Sequence, residues 1–299
     1  MKIGVPIFGY DNDHFAVFEK RLKDHGYYTI NLGDNMQSIA VRSVLERIGI
    51  EPEKIIPINR DRLRDYSGEP VRLIMNGVFL PQCFPISPKI HPIFIGFNAI
   101  EGVIPKNADY FRRYAPIGCR DTVTRDCFHA HGIEAYVTGC LTMALPPRLH
   151  TPTSTKLLVI YGEGSGELPS TVLKHVPHNL LDTAEFISQR IPVMNYPMTE
   201  IQCLQVERHV KGLLQTYASR ATHVLTPLHH AATPCMALGI PTIICRSHFD
   251  ARFSYLKELV PVYTPDQFDQ INWNPTPLDM TAIRENLVRT CARCVQSSI

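Results

Sequence analysis

Residues 221–245, ATHVLTPLHHAATPCMALGIPTIIC, carry no formal charge over 25 positions. A run of that length belongs either in the hydrocarbon of a bilayer or in the middle of a protein core. Three prolines (Pro227, Pro234, Pro241) would interrupt a spanning helix, and three histidines and four threonines make it too polar for one. The run divides better into a strand His223–Thr226, a helix beginning near Leu228 and a strand Thr242–Cys245. Such a β-α-β unit needs a parallel sheet covered on both faces. An α/β protein is the expectation, and a membrane span is rejected.

The rest of the chain alternates in the same way. Strand-like Lys2–Phe8 is followed by a helix opened at Gly33-Asp34-Asn35, with Met36, Ile39, Ala40, Val44 and Ile48 on one face and Gly49 as its stop. Further strands are expected at Ile55–Ile58, Val71–Met75, Ile93–Phe97, Ile133–Val137 and Leu157–Tyr161. Helices are expected from Thr122 (a candidate cap) to His131, along the stripe Val206, Val210, Leu213, Leu214 and Tyr217, and from about Asp279 to Gln296. Residues 146–155 hold three prolines without periodicity and read as a linker. Two α/β halves follow, 1–150 and 151–299, with a ligand cleft expected between the carboxyl ends of their strands.

Charge excludes some classes. Lys+Arg and Asp+Glu number 30 and 28, with no basic block, so bulk electrostatic binding to nucleic acid is not expected. Arginines outnumber lysines 20 to 10, a hint of an anionic ligand, because the planar fork of Arg suits carboxylate and phosphate. Nine scattered cysteines suggest no disulfide framework and favour a reducing compartment. Cys291 and Cys294 form a C-x-x-C without a second pair, better read as core thiols than as a metal site.

Three short stretches could carry chemistry. Gly162-Glu163-Gly164-Ser165-Gly166 follows a strand, but its third glycine is one residue early for a dinucleotide loop and Pro169 interrupts the expected helix. A surface turn is the better reading. Thr226-Pro227-Leu228-His229-His230 lies between a strand and a helix, where backbone N–H groups favour an anion and a histidine can move a proton. Either histidine could equally be a buried core residue. Arg120-Asp121 before the helix at Thr122 is either an ion pair or an anion clamp.

Together, NLGDNMQSIAVRSVL (31–45), VRLIMNGVF (71–79), PIGCRDTVTRDCF (116–128), YVTGCLTMAL (136–145), THVLTPLHHAATPCMALGIPTII (222–244) and INWNPTPLDM (271–280) resemble the polysaccharide pyruvyl transferase family. The resemblance implies a GT-B-like fold: two Rossmann-like domains facing across a cleft, with the C-terminal helix packing back across the hinge. It implies transfer of the enolpyruvyl group of phosphoenolpyruvate to a sugar, forming a pyruvate ketal and releasing phosphate, with no metal or other cofactor. The partners implied are phosphoenolpyruvate and a saccharide acceptor, lipid-linked forms included. The expected location is the cytoplasm, extending to a membrane surface.

On that resemblance, Arg120 binds the donor, and His229 contacts its phosphate and serves as general acid. Leu228 and His230 flank His229 in the same motif. Gly33, Asp34 and Asn35 line the cleft from the first half, where Asp34 orients or deprotonates an acceptor hydroxyl or else caps the helix. Asp121, Asn76 and Arg252 complete the expected substrate-binding set. The family has an arginine where this chain has Pro227. Losing one charge-assisted hydrogen bond costs roughly 1.5–3 kcal/mol, unless Arg246 or Arg252 reaches in. Two other readings remain open: a GT-B nucleotide-sugar glycosyltransferase, and a non-catalytic glycan-binding relative.

Overall fold

A computed structural model describes residues 1–296. The uncharged run folds as the expected β-α-β unit, with strands His223–Thr226 and Thr242–Cys245 flanking helix His229–Ala237. It occupies the middle of a five-stranded parallel sheet in the order Glu185–Ser188, Leu157–Tyr161, His223–Thr226, Thr242–Cys245, Val262–Tyr263. Val224 and Leu225 lie opposite Thr242 and Ile243 and are fully buried, so a charge here would have no solvent to reach. No described helix is long and apolar enough to cross a membrane.

The first half holds two four-stranded parallel sheets. One runs Ile55–Asn59, Lys2–Ile7, Val71–Ile74, Ile90–Ile93; the other runs Gly77–Phe79, Phe97–Ala99, Ile117–Cys119, Ala135–Val137. The expected strand Ile93–Phe97 is therefore two strands in different sheets. Gly96, at φ 69°, turns the chain between them, where a Cβ would collide with the Asn76 side-chain oxygen. An antiparallel ribbon, Tyr28–Asn31 with Arg190–Val193, joins the two halves of the chain in register Asn31↔Arg190.

Two caps differ from expectation. Asn31, not Asp34, caps helix Leu32–Arg47, its side chain accepting from Gly33 N at 3.1 Å. Asp121, not Thr122, caps helix Thr122–Ala130 by accepting from Thr124 N at 2.9 Å. In both cases the side chain just outside the helix reaches back to an orphan N–H, which a residue already in helical conformation does less well.

Helix Leu32–Arg47 buries Met36, Ala40, Val41 and Val44 on one stripe, against helices Glu200–Arg220, His229–Ala237 and the terminal Thr281–Gln296. One apolar cluster accordingly mixes Val5, Ala40 and Val44 with Ala232, Met236, Phe253 and Leu287. The terminal helix bridges both halves. Arg284 donates to Leu145 O at 3.0 Å and Ala237 O at 2.7 Å, and Arg72 satisfies the last-turn carbonyls of Cys294 and Val295.

Candidate functional site

Parallel strands end where their connecting loops must turn, and that edge concentrates backbone dipoles and free side chains. Here several strand ends converge. Arg120 follows strand Ile117–Cys119, Gly162 follows Leu157–Tyr161, Leu228 and His229 follow His223–Thr226, and Arg246 follows Thr242–Cys245. With Asp34, His230 and Arg252 they line a cavity of about 150 Å³.

The cations in it are held differently. Arg120 is 2% exposed and lies 3.7 Å from Asp121, too far for a hydrogen bond. Its Nε and one terminal nitrogen have no partner, and burial pulls its pKa down against the opposing pull of Asp121. Arg246 is equally buried but fully engaged. It donates to Pro227 O at 2.6 Å and Ser165 O at 3.1 Å, pairs with Asp250 at 3.3 Å and lies 4.6 Å over the Phe253 ring. Arg252 grips Asp250 through Nε at 2.9 and 3.0 Å. Burial alone would raise Asp250, yet the bonds from Arg252 hold it at about 2.

The histidines sit under these cations. Burial pushes both His229 and His230 well below the ordinary histidine value, and the neighbouring guanidiniums push the same way, so both rings are neutral. His229 Nδ1 is buried without a partner. His230 Nε2 lies 3.9 Å from Cys140 Sγ, and its carbonyl accepts from Gln189 at 3.0 Å. Gly33 lets the two helix starts meet, because a Cβ there would stand 2.8 Å from His230 Cβ. Asp34 is raised by burial and accepts a 2.9 Å hydrogen bond from Tyr10 Oη.

Of the expected residues, Asp34, Arg120, Leu228, His229, His230 and Arg252 stand on the cavity wall, with Gly33 directly behind it. Asn35 is in the same helical turn but off the wall, its side-chain nitrogen buried and unpartnered. Asn76 lies beneath, its oxygen accepting from Leu141 N at 3.0 Å. Asp121 is spent on structure, bonded to Thr124 N, Thr124 Oγ1 and Asn98 Nδ2 at 2.9, 2.8 and 2.7 Å. It faces a second cavity of about 620 Å³, largely aliphatic, that shares Val78 and Arg252 with the first.

The glycine stretch is a turn with Glu163, Gly164 and Ser165 exposed, as expected, but it also belongs to the site. Gly162, Glu163, Ser165 and Gly166 form part of the cavity wall, packed on Leu228, and Glu163 bonds Thr29 at 2.8 Å and pairs with Arg190 at 3.1 Å. The 3-10 turn Ser170–His175 separates it from the next α-helix, the four-residue His178–Leu181, so it does not open the helix whose N-terminus a dinucleotide loop uses. Tyr10 and Gln189 escaped sequence reasoning. Tyr10 follows the first strand's end, where ligands gather in such sheets, and that position was its only signal.

The family model described as polysaccharide pyruvyl transferase matches residues 31–248. A solved structure of a functionally uncharacterized protein from Klebsiella pneumoniae subsp. pneumoniae NTUH-K2044 is similar at 17% identity with a TM-score of 0.43, over 82% of this chain and 94% of that one. No curated protein matches the chain.

Proposed function

The chain belongs to the polysaccharide pyruvyl transferase family, and on that premise we propose that it moves the enolpyruvyl group of phosphoenolpyruvate onto a saccharide, forming a pyruvate ketal across two hydroxyls. The observation that carries this reading is the pair of unpartnered buried groups on one small cavity: Arg120, with two idle nitrogens, and His229 Nδ1. Idle buried donors represent lost hydrogen bonds, which a small anion bearing phosphate and carboxylate would restore. About 150 Å³ suits such a ligand and falls short of the roughly 300 Å³ where drug-sized sites begin, which disfavours a nucleotide sugar.

In this reading Arg120 holds the donor's anionic groups, and Arg246, its nitrogens occupied by protein acceptors, adds its positive charge beside them. Arg246 supplies, beside the Pro227 carbonyl, the cation that residue 227 itself lacks, which favours a working donor site over a catalytically silent relative. Donor charge offsets the guanidiniums around His229 and raises its proton affinity. The imidazolium then protonates the donor's methylene carbon. The resulting oxocarbenium-like carbon takes the first sugar oxygen, whose proton passes to Asp34. A second hydroxyl displaces phosphate and closes the ketal, its proton passing to the now neutral His229, while the proton held on Asp34 leaves with the phosphate.

The two parallel-sheet halves act as the facing domains of a GT-B-like arrangement, 1–150 on the acceptor side and 151–299 on the donor side. The aliphatic second cavity beside Arg252 suits the apolar part of a lipid-linked acceptor. Six of the nine cysteines are buried thiols, in keeping with a cytoplasmic protein. The test is phosphate release from phosphoenolpyruvate with a panel of saccharide acceptors. Arg120→Ala and His229→Ala should each lower turnover by orders of magnitude while remaining folded, and full activity in both would overturn the assignment.

A further inference from the structure

Tyr10 is, among the described residues, the non-glycine residue whose backbone lies in the left-handed region, at φ 54°. A bulky aromatic side chain is strained there and persists only when its surroundings dictate it. They do so at both ends of the residue. The Tyr10 N–H donates to Asp61 Oδ2 at 2.7 Å, and Asp61 is itself fixed by Arg60 Nε at 2.9 Å, whose guanidinium lies 4.6 Å over the Phe8 ring. The phenol ring is wedged between Phe15 and Phe18, at centroid distances of 5.1 and 5.8 Å. This frame delivers one hydroxyl to one place.

That hydroxyl has a single proton and two acceptors in reach: Asp34 Oδ2 at 2.9 Å and the Asn31 carbonyl oxygen at 3.2 Å. Asn31 is also the residue that caps the helix carrying Asp34. We infer that Tyr10 is a positioning residue for Asp34 whose hydroxyl proton alternates between the Asp34 carboxylate and the Asn31 carbonyl, holding Asp34 in one place whether ionised or protonated. The inference rests on the reading of Asp34 as the group that takes the acceptor's proton.

The proton balance is simple. With Asp34 ionised, Tyr10 O–H donates to Oδ2. When Asp34 takes up one proton, Oδ1 faces the Gln37 side-chain nitrogen at 3.4 Å, itself a donor, so the acid form carries its proton on Oδ2. The Tyr10 oxygen then accepts that proton's hydrogen bond and turns its own O–H to Asn31. The Tyr10 hydroxyl and Asp34 Oδ2 keep a hydrogen bond in either state, which a base that must cycle between states needs. The other charged groups facing Asp34 are the Arg60–Asp61 pair, Arg120 and Arg252. Burial raises Asp34 above the ordinary carboxyl value, the direction that favours proton uptake.

The experiment is Tyr10→Phe in the full chain, which keeps the ring and its packing, beside Asp34→Asn. Tyr10→Phe removes a donor to the carboxylate. The acid limb of the pH–kcat profile should therefore move up by about one unit or more, with kcat down roughly tenfold or more and phosphoenolpyruvate binding unchanged. An unshifted limb with near-normal kcat overturns the inference while leaving the donor site intact. Full activity of Asp34→Asn overturns the base assignment itself, and the inference with it. In the unsubstituted chain, the ¹³C resonance of the hydroxyl-bearing Tyr10 carbon should titrate with the same midpoint as the Asp34 carboxyl. A Tyr10 signal indifferent to that titration also refutes the switch.

Discussion

Replacing Arg120 by methionine should make the free protein more stable and the donor-bound protein less so. Arg120 is buried with two nitrogens unpartnered, and its neighbour Asp121 draws its hydrogen bonds from Thr124 and Asn98 instead. An apolar side chain of similar length removes the unmet hydrogen-bonding demand, about 1–3 kcal/mol for a buried polar group, while Asp121 stays fully bonded. At roughly 1.6 °C per kcal/mol for a chain of this length, the free variant should melt about 2–5 °C higher. With phosphoenolpyruvate the order should reverse. At a thousand times Kd the ligand adds about 4.1 kcal/mol to the parent, more than the substitution gains. Losing two charge-assisted hydrogen bonds, about 1.5–3 kcal/mol each, lowers affinity by two to four orders of magnitude and removes most of that ligand effect. The assay is thermal unfolding of both proteins with and without phosphoenolpyruvate. A variant that is less stable alone, or that keeps the parent's ligand shift, refutes the view of Arg120 as a cation held idle for an anion.

Binding of phosphoenolpyruvate should take up protons near neutral pH, because His229 is held neutral in the free site and gains proton affinity when anionic charge arrives. Affinity should then rise as pH falls toward the bound-state value, and calorimetry in buffers of different ionisation enthalpy reads the uptake directly; His229→Gln should abolish it. Gly33→Ala places a Cβ 2.8 Å from His230 Cβ, so it should cost about 1–3 kcal/mol in denaturant unfolding and blunt the ligand shift; unchanged stability would show that the helix starts have room. Asp250 is held at about 2, depressed relative to an unfolded carboxyl. Its stabilising contribution is present above pH 4 and fades as pH falls toward 2. Asp250→Asn should therefore flatten acid unfolding in that window, and an unaltered acid transition would contradict the pairing.

Much of the scaffold is visible in composition because burial acts on composition. The uncharged run at 221–245 gave both strand ranges, His223–Thr226 and Thr242–Cys245, since no charged residue tolerates that position. Helix caps were harder. Asn31 and Asp34, or Asp121 and Thr122, are all competent capping types, and which one reaches an N–H depends on where the chain leaves its preceding strand. Gly96 broke an apolar run that looks continuous on paper. In the site, His229, Arg120 and Asp34 lie in recognisable motifs, whereas Arg246 and Tyr10 gain their meaning from tertiary neighbours, the Pro227 carbonyl and the Asp34 carboxylate, far away in sequence.

The ribbon between Tyr28–Asn31 and Arg190–Val193 has a mechanical consequence. Its last residue, Asn31, begins the helix that carries Asp34, and Gly33 is wedged against His230. A force that swings the second half swings this carboxylate with it, as a coupling rod carries a wheel. Any displacement of the second half therefore carries the start of the Asp34 helix along with His230, and the two groups keep their separation.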